Sequence, residues 1–333
     1  MSGFSGDAGG GVGGVTRLAP SPTGALHLGN ARTFLINWAL ARRLGWDVAL
    51  RIEDLDTPRV KPGSVEQTID LISWLGMSWD GASLLQSADL EPYRAAMRAL
   101  AEAGLVYPCT LTRKQIEAAA SAPNETDKGE GGELRFDPAL RPAGFERGRR
   151  ARFDDEATNW RLAVEPGEIE VEDRVAGRHA IDVAREVGDF VVWTKRGCPS
   201  YQLAVVVDDA RQGVTDVVRG RDLIPSAARQ ALLQRALGLA TPRWWHVGLV
   251  RGEDGRRLAK RHGDTRLAGY RESGAPADRV VGLLAWWTGL TAEPEPMAAA
   301  EFAERLAVDS IVTRGRWADD VTFTREHERW LRG

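Results

Sequence analysis

The segment Arg17-Leu18-Ala19-Pro20-Ser21-Pro22-Thr23-Gly24-Ala25-Leu26-His27-Leu28-Gly29-Asn30 constrains this chain more than any other. Two prolines fix the backbone on either side of Ser21 and Gly24 frees it, so the path of the loop is set by sequence. An amphipathic pattern follows, with Phe34, Leu35, Trp38 and Leu44 at helical spacing and a stop at Gly45. Asn30 is placed to cap that helix. A helix N-terminus presents unpaired N–H groups and partial positive charge, which suits a phosphate. His27 and the small Gly29 beside it would let a nucleotide come close. For the loop alone, an ordinary strand–turn–helix connection explains these residues about as well.

The remainder of the chain bounds the choice. With 333 residues, 43% of them hydrophobic, it can bury one good core and a second, smaller one. A net charge of −3 neither indicates nor excludes a nucleic-acid partner, because binding depends on where Lys and Arg cluster. They cluster at Arg141, Arg147, Arg149, Arg150 and Arg152, which reads as a solvated surface, and at Arg256, Arg257, Lys260 and Arg261. Two cysteines, Cys109 and Cys198, make no disulfide framework and fit a reducing, cytoplasmic compartment. No apolar run reaches the roughly 18 residues of a membrane helix, so no membrane partner is expected. Residues 1–14 are rich in glycine and read as a flexible tail, without a signal-peptide core or the Gly-Lys-Ser/Thr ending of a Walker loop.

Strand and helix signals alternate along the chain. Asp47–Glu53 reads as a strand that leaves carboxylates at its end. A helix from about Ser64 to Leu75 follows, with Ser64 and Gln67 spaced as a capping box and Gly76 as its stop, and another runs from Pro92 to Ala103. This alternation predicts an α/β fold with a parallel sheet. Between Cys109 and Val187 the pattern changes to a loop-rich stretch and short β-like pieces such as Glu168–Glu172, which reads as an insertion. Alternating strands are expected to resume at Phe190–Trp193 and Tyr201–Val207, with a helix over Pro225–Leu237. From Thr265 the period is helical, with Leu283, Leu284, Trp286 and Trp287 as core.

Pro20–Asn30 resembles the first signature of class I aminoacyl-tRNA synthetases in the form used by the glutamyl-tRNA synthetase group, with Asn30 where the general signature has a second His. Arg256-Arg257-Leu258-Ala259-Lys260-Arg261 resembles the Lys-Leu-Ser-Lys-Arg loop of the same group, with Arg257 and Ala259 replacing its first Lys and its Ser. The resemblance implies a Rossmann-type catalytic domain in two halves, 15–108 and 188–264. It also implies an inserted α+β acceptor-binding subdomain at 109–187 and a short helical C-terminal region at 265–333.

Such an enzyme joins an amino-acid carboxylate to the α-phosphate of ATP, which arrives with Mg²⁺, and fixed cations and N–H donors stabilise the charge at phosphorus. The resemblance assigns that work to His27 and Lys260, with Gly29 and Asn30 beside ATP. It assigns L-glutamate to Arg17, Ser21, Glu53, Tyr201 and Arg219. Arginine forks suit two carboxylates and an acid suits the ammonium group. Short relatives often carry a zinc site in the insertion. Here only Cys109 of that set is kept, so no zinc or other metal is expected.

Only residues 261–333 follow Lys260, too few for a large anticodon-binding domain. In this the chain resembles the truncated branch of the group, the glutamyl-Q tRNA(Asp) synthetases. That resemblance implies tRNA-independent activation of glutamate and its transfer to the queuosine base of tRNA(Asp), by a monomer. A minimal synthetase charging the 3′ end of tRNA(Glu), or an inactive tRNA-binding paralogue, are the alternatives.

Overall fold

The structure is a computed structural model describing residues 13–120, 134–256, 258, 265–307 and 316–333. Val15–Leu18 forms β1, and the proline-rich loop leads from it into α1 (Leu28–Leu44). His27, and not Asn30, caps this helix. Its Nδ1 accepts from the Gly29 N–H at 3.1 Å, while Asn30 Oδ1 accepts from the His27 N–H at 3.1 Å. The two residues three apart close a reciprocal capping box, so Asn30 lies inside the first turn. Gly45 ends the helix in the left-handed region at φ 67°. Leu44, the last apolar residue of the helical pattern, is exposed because it closes the last turn on the solvent side.

β2 (Asp47–Ile52) runs parallel to β1, with Arg17 opposite Ala49. α2 (Ser64–Trp74) does not begin with a capping box. Gly63, left-handed at φ 78°, takes the cap position, and Ser64 Oγ donates back to the Lys61 carbonyl at 2.7 Å. The short β3 (Leu84–Leu85) adds to β2 in parallel, and α3 (Glu91–Glu102) leads to β4 (Val106–Cys109) and α4 (Arg113–Ala120).

β5 (Asn159–Leu162) pairs antiparallel with β4. β6 (Glu168–Asp173) and β7 (Gly177–Asp182) form a hairpin, followed by one helical turn, α5 (Val183–Glu186). β8 (Phe190–Thr194) returns antiparallel beside β5, and β9 (Cys198–Pro199) folds back on it. Asp189 is wholly buried just before β8. It accepts from Arg141 at 2.7 and 2.9 Å, from the Tyr107 hydroxyl at 2.6 Å and from the Val164 N–H at 2.8 Å. Arg141 is therefore not part of a solvated basic surface, although Arg147, Arg149, Arg150 and Arg152 are exposed.

Tyr201 opens a helix, α6 (Tyr201–Arg211), where a strand was expected. The run from Gln202 to Asp209 is buried on every side, so it has no polar face to set a helical period, and Val205–Val207 mimic a strand. β10 (Asp216–Gly220), α7 (Ile224–Leu237) and β11 (Arg243–Val247) complete a second parallel unit. β10 lies beside β1, joined by the Thr215 N–H to the Val15 carbonyl at 2.9 Å. β6 docks on the far side of β11 with Asp173 opposite Trp244. The result is an α/β fold of parallel strands and flanking helices.

After β12 (Val250–Arg251) come α8 (Leu267–Glu272), α9 (Ala277–Thr288) and α10 (Ala299–Arg305). β13 (Val321–Thr322) then pairs in parallel with β12, and α11 (Arg325–Arg332) follows. Leu283, Leu284 and Trp287 are buried in one core with β1, β2 and α1, and Trp286 is half-buried against it. Arg32 of α1 is buried too, and donates to the Gly248 carbonyl at 2.7 Å and the Arg316 carbonyl at 3.2 Å. A second core joins α3, α6 and α7 to β5–β8. Among the described residues no helix is long and apolar enough to cross a membrane.

Candidate active site

Where β1 and β10 lie side by side, their C-terminal ends and the proline-rich loop enclose a cleft of about 480 Å³. This is the position where parallel α/β sheets bind ligands. Arg17, Ser21, His27, Gly29, Asn30, Glu53, Tyr201 and Arg219 all line it. Of the site residues expected from sequence, Lys260 lies outside the described residues, as do Arg257 and Ala259.

Each side chain is placed by its element. The Glu53 N–H donates to the Pro20 carbonyl at 2.9 Å, which staples the loop to the end of β2. Arg51 is wholly buried. Its Nη1 donates to Asp209 Oδ1 at 2.7 Å and to Gln212 Oε1 at 3.0 Å, and its Nη2 to Glu53 Oε1 at 3.4 Å. Arg17 Nε is 3.4 Å from the same Asp209 oxygen, and Arg17 Nη1 donates to the Val218 carbonyl at 3.3 Å. One acid on α6 thus aligns two arginines from neighbouring strands.

Arg219, near the end of β10, is held more tightly still. Nε donates to His246 Nε2 at 3.0 Å, Nη1 to Gln230 Oε1 at 2.8 Å and Nη2 to the Leu223 carbonyl at 3.2 Å. The guanidinium carbon lies 4.8 Å from the Trp244 ring centroid. Tyr201, at the first turn of α6, is 41% exposed and lines the cleft near these groups. At the other end, the capping bond leaves His27 with its neutral-ring proton on Nε2, since Nδ1 is the acceptor.

Burial dominates the local electrostatics. It pushes the Glu53 carboxyl above the ordinary range, against the pull of Arg51 and Arg17 and with the push of Asp209 and Asp208. It also lowers Arg219 from its usual value. His246 falls to about 4, through burial and the nearby Arg219 charge, although its bond to Asp173 opposes the shift.

Asp209, Arg51, His246, Asp173 and Gln230 were not singled out from sequence. A legible signal did exist for one of them. Asp208-Asp209 closes an apolar run, and charged groups buried in such a run are almost always paired. Cys109 packs with Tyr107, Ile116, Phe136 and Ala163, and among the described residues no group of three His, Cys, Asp or Glu is placed to hold a metal.

A two-part parallel sheet with this cleft at its centre defines a class I synthetase core. The chain belongs to the family of class I tRNA synthetases (E and Q), catalytic domain, whose pattern matches residues 15–322. Within that family its relatives include glutamyl-Q tRNA(Asp) synthetases. The one from Rhodopirellula baltica is 46% identical over 299 residues, covering 87% of this chain and 88% of its own. The one from Deinococcus radiodurans is 44% identical and covered over 93% of its length. Glutamate–tRNA ligase 1 from Methylobacterium radiotolerans is 41% identical, and the match covers 53% of it. Among solved structures, the glutamate-tRNA synthetase from Elizabethkingia anophelis superposes with a TM-score of 0.76 at 25% identity, over 96% of this chain and 70% of that one.

Proposed function

We propose that the protein activates L-glutamate with ATP and Mg²⁺ to glutamyl-adenylate without needing tRNA, and transfers the glutamyl group to the queuosine base of tRNA(Asp). In the first step a carboxylate oxygen of glutamate attacks the α-phosphorus and pyrophosphate leaves. In the second the queuosine nucleophile displaces AMP from the acyl carbon.

The carrying observation is the convergence of Arg17, Arg219 and Glu53 on one cleft, with Asp209 and His246 aligning the two arginines. Two guanidinium forks match the two carboxylates of glutamate, and Glu53 matches its ammonium. Ser21 and Tyr201 supply hydroxyls on the same walls. His27 Nε2–H faces ATP at the N-terminus of α1, where the absence of a side chain at Gly29 and the small Asn30 let the nucleotide approach, with Lys260 for its phosphates. The acceptor follows the relatives whose length this chain nearly spans, all named for tRNA(Asp).

Glutamate-dependent ATP–pyrophosphate exchange by the purified protein, with no RNA present, tests the first step. No exchange would overturn the reading. Labelled glutamate offered to tRNA(Asp) with and without queuosine tests the second. Label on tRNA(Glu) instead would favour the relation to glutamate–tRNA ligase, which the 41% identity to that enzyme supports.

A further inference from the structure

We infer that His246 is a positioning residue for glutamate: held by Asp173, it fixes the direction in which the Arg219 guanidinium meets the cleft. This rests on the glutamate reading above. Arg219 Nε donates to His246 Nε2 at 3.0 Å. A guanidinium cannot accept a hydrogen bond, so Nε2 bears no proton and the ring proton sits on Nδ1. From there it is donated to Asp173 Oδ2 at 2.6 Å.

Asp173 is itself immobilised. It accepts from the backbone N–H groups of Val175 at 2.9 Å, Ala176 at 2.6 Å and His246 at 3.0 Å. A chain of fixed groups therefore runs from the last residue of β6, through β11, to the arginine in the cleft. His246 and Arg219 are both buried.

Arg219 has five N–H groups, and His246, Gln230 and Leu223 take three of them. The Trp244 ring sets the plane of the fork. With plane and Nε edge both fixed, the direction of the N–H groups left for a carboxylate, beside the Tyr201 hydroxyl, is fixed as well. Recognition by a fork depends on direction as well as charge, so removing the Nε acceptor weakens glutamate and leaves ATP untouched.

Asparagine and glutamine dissect the ring. In His246→Asn the amide nitrogen stands near the place of Nδ1 and still donates to Asp173, but nothing accepts from Arg219. In His246→Gln an amide oxygen reaches the place of Nε2 and accepts from Arg219 while the Asp173 bond is lost. Asp173→Asn is a third arm, since its amide NH₂ donates to Nδ1 and moves the ring proton to Nε2, where it opposes Arg219 Nε–H.

The experiment measures glutamate-dependent ATP–pyrophosphate exchange by the full chain, with KM for glutamate and for ATP determined separately and an unfolding midpoint for each variant. H246N and D173N are expected to raise KM for glutamate roughly ten-fold or more, with KM for ATP within about two-fold, and H246Q to recover most of the rise. An unchanged KM for glutamate in H246N would overturn the inference while leaving the glutamate reading intact. So would a rise in both KM values that tracks the unfolding midpoint, which marks a merely structural histidine. Absence of exchange in the unsubstituted protein would remove the glutamate reading and this inference with it.

Discussion

Arg51 of β2 donates to Asp209 of α6 at 2.7 Å with both side chains buried, across the seam between the first parallel strands and the helix that precedes β10. Among the described residues the other Asp209 oxygen has no hydrogen-bond partner, while the first also faces Arg17. The pair therefore serves two ends. It stitches the seam, and it holds Arg17 at the cleft.

Breaking this pair from one side leaves an uncompensated buried charge. Asp209→Ala is expected to lower the unfolding free energy by about 3–5 kcal/mol and to raise KM for glutamate. Combining Asp209→Leu with Arg51→Met should recover part of the stability but not the affinity, because Arg17, itself buried, still lacks its partner. Urea unfolding of the three proteins, beside their exchange kinetics, checks both parts.

Glu53 should make glutamate binding acid-sensitive. Only the carboxylate form attracts an ammonium group, and burial raises its titration above the ordinary range. As pH falls, KM for glutamate is expected to climb at a pH higher than an exposed carboxylate would give. Glu53→Gln should raise KM for glutamate by roughly 100-fold and remove this climb. A pH series of KM with the two proteins decides it.

His246 links stability to pH in a definite direction. Its folded-state value, about 4, lies below the ordinary histidine value of 6.5. Its contribution is therefore complete above about 6.5 and is lost as pH falls from there through about 4, because the unfolded chain takes up the proton first. Unfolding midpoints between pH 7.5 and 4.5 should fall, and His246→Gln should fall less steeply. Parallel curves for the two proteins would contradict this.

Gly248 lets the C-terminal segment approach the sheet. A Cβ there would overlap the Asp319 carbonyl, and the Gly248 carbonyl is the one Arg32 grips. Gly248→Ala is expected to cost about 2 kcal/mol or more of stability by pushing residues 316–320 away, as overpacking does elsewhere. Arg32→Met should act in the same direction by leaving two carbonyls short of a donor. Chemical denaturation and protease sensitivity of the C-terminal segment provide the readouts.

Lys260→Ala is expected to slow exchange by roughly 10²–10³-fold, the scale of losing one charged donor to the phosphates. RNA binding should change little. Equal exchange before and after would remove Lys260 from the phosphate site, and no exchange by either protein would support the inactive-paralogue alternative.

Much of the cleft was legible. Arg17, Ser21, His27, Gly29 and Asn30 come from one stretch of fourteen residues, the end of β1, the start of α1 and the loop between them, where two prolines restrict the backbone. The assignment of Arg17, Ser21, Glu53, Tyr201 and Arg219 to glutamate was reached through resemblance, and all five line the same cleft. The cap of α1 was misplaced by three residues because a histidine nitrogen took a role usually given to an oxygen side chain. α6 was read as a strand because it is buried all round.

By itself, then, the sequence determined most of the alternation of strands and helices and the shape of the phosphate-side loop. These are local properties, governed by backbone stereochemistry and the spacing of apolar groups. Only the tertiary structure decided what orients the cleft residues. Asp209 reaches Arg51 across 158 positions and Asp173 reaches His246 across 73. Pairings that distant leave no periodic trace along the chain, because burial and charge compensation act on the folded packing rather than on neighbours in sequence.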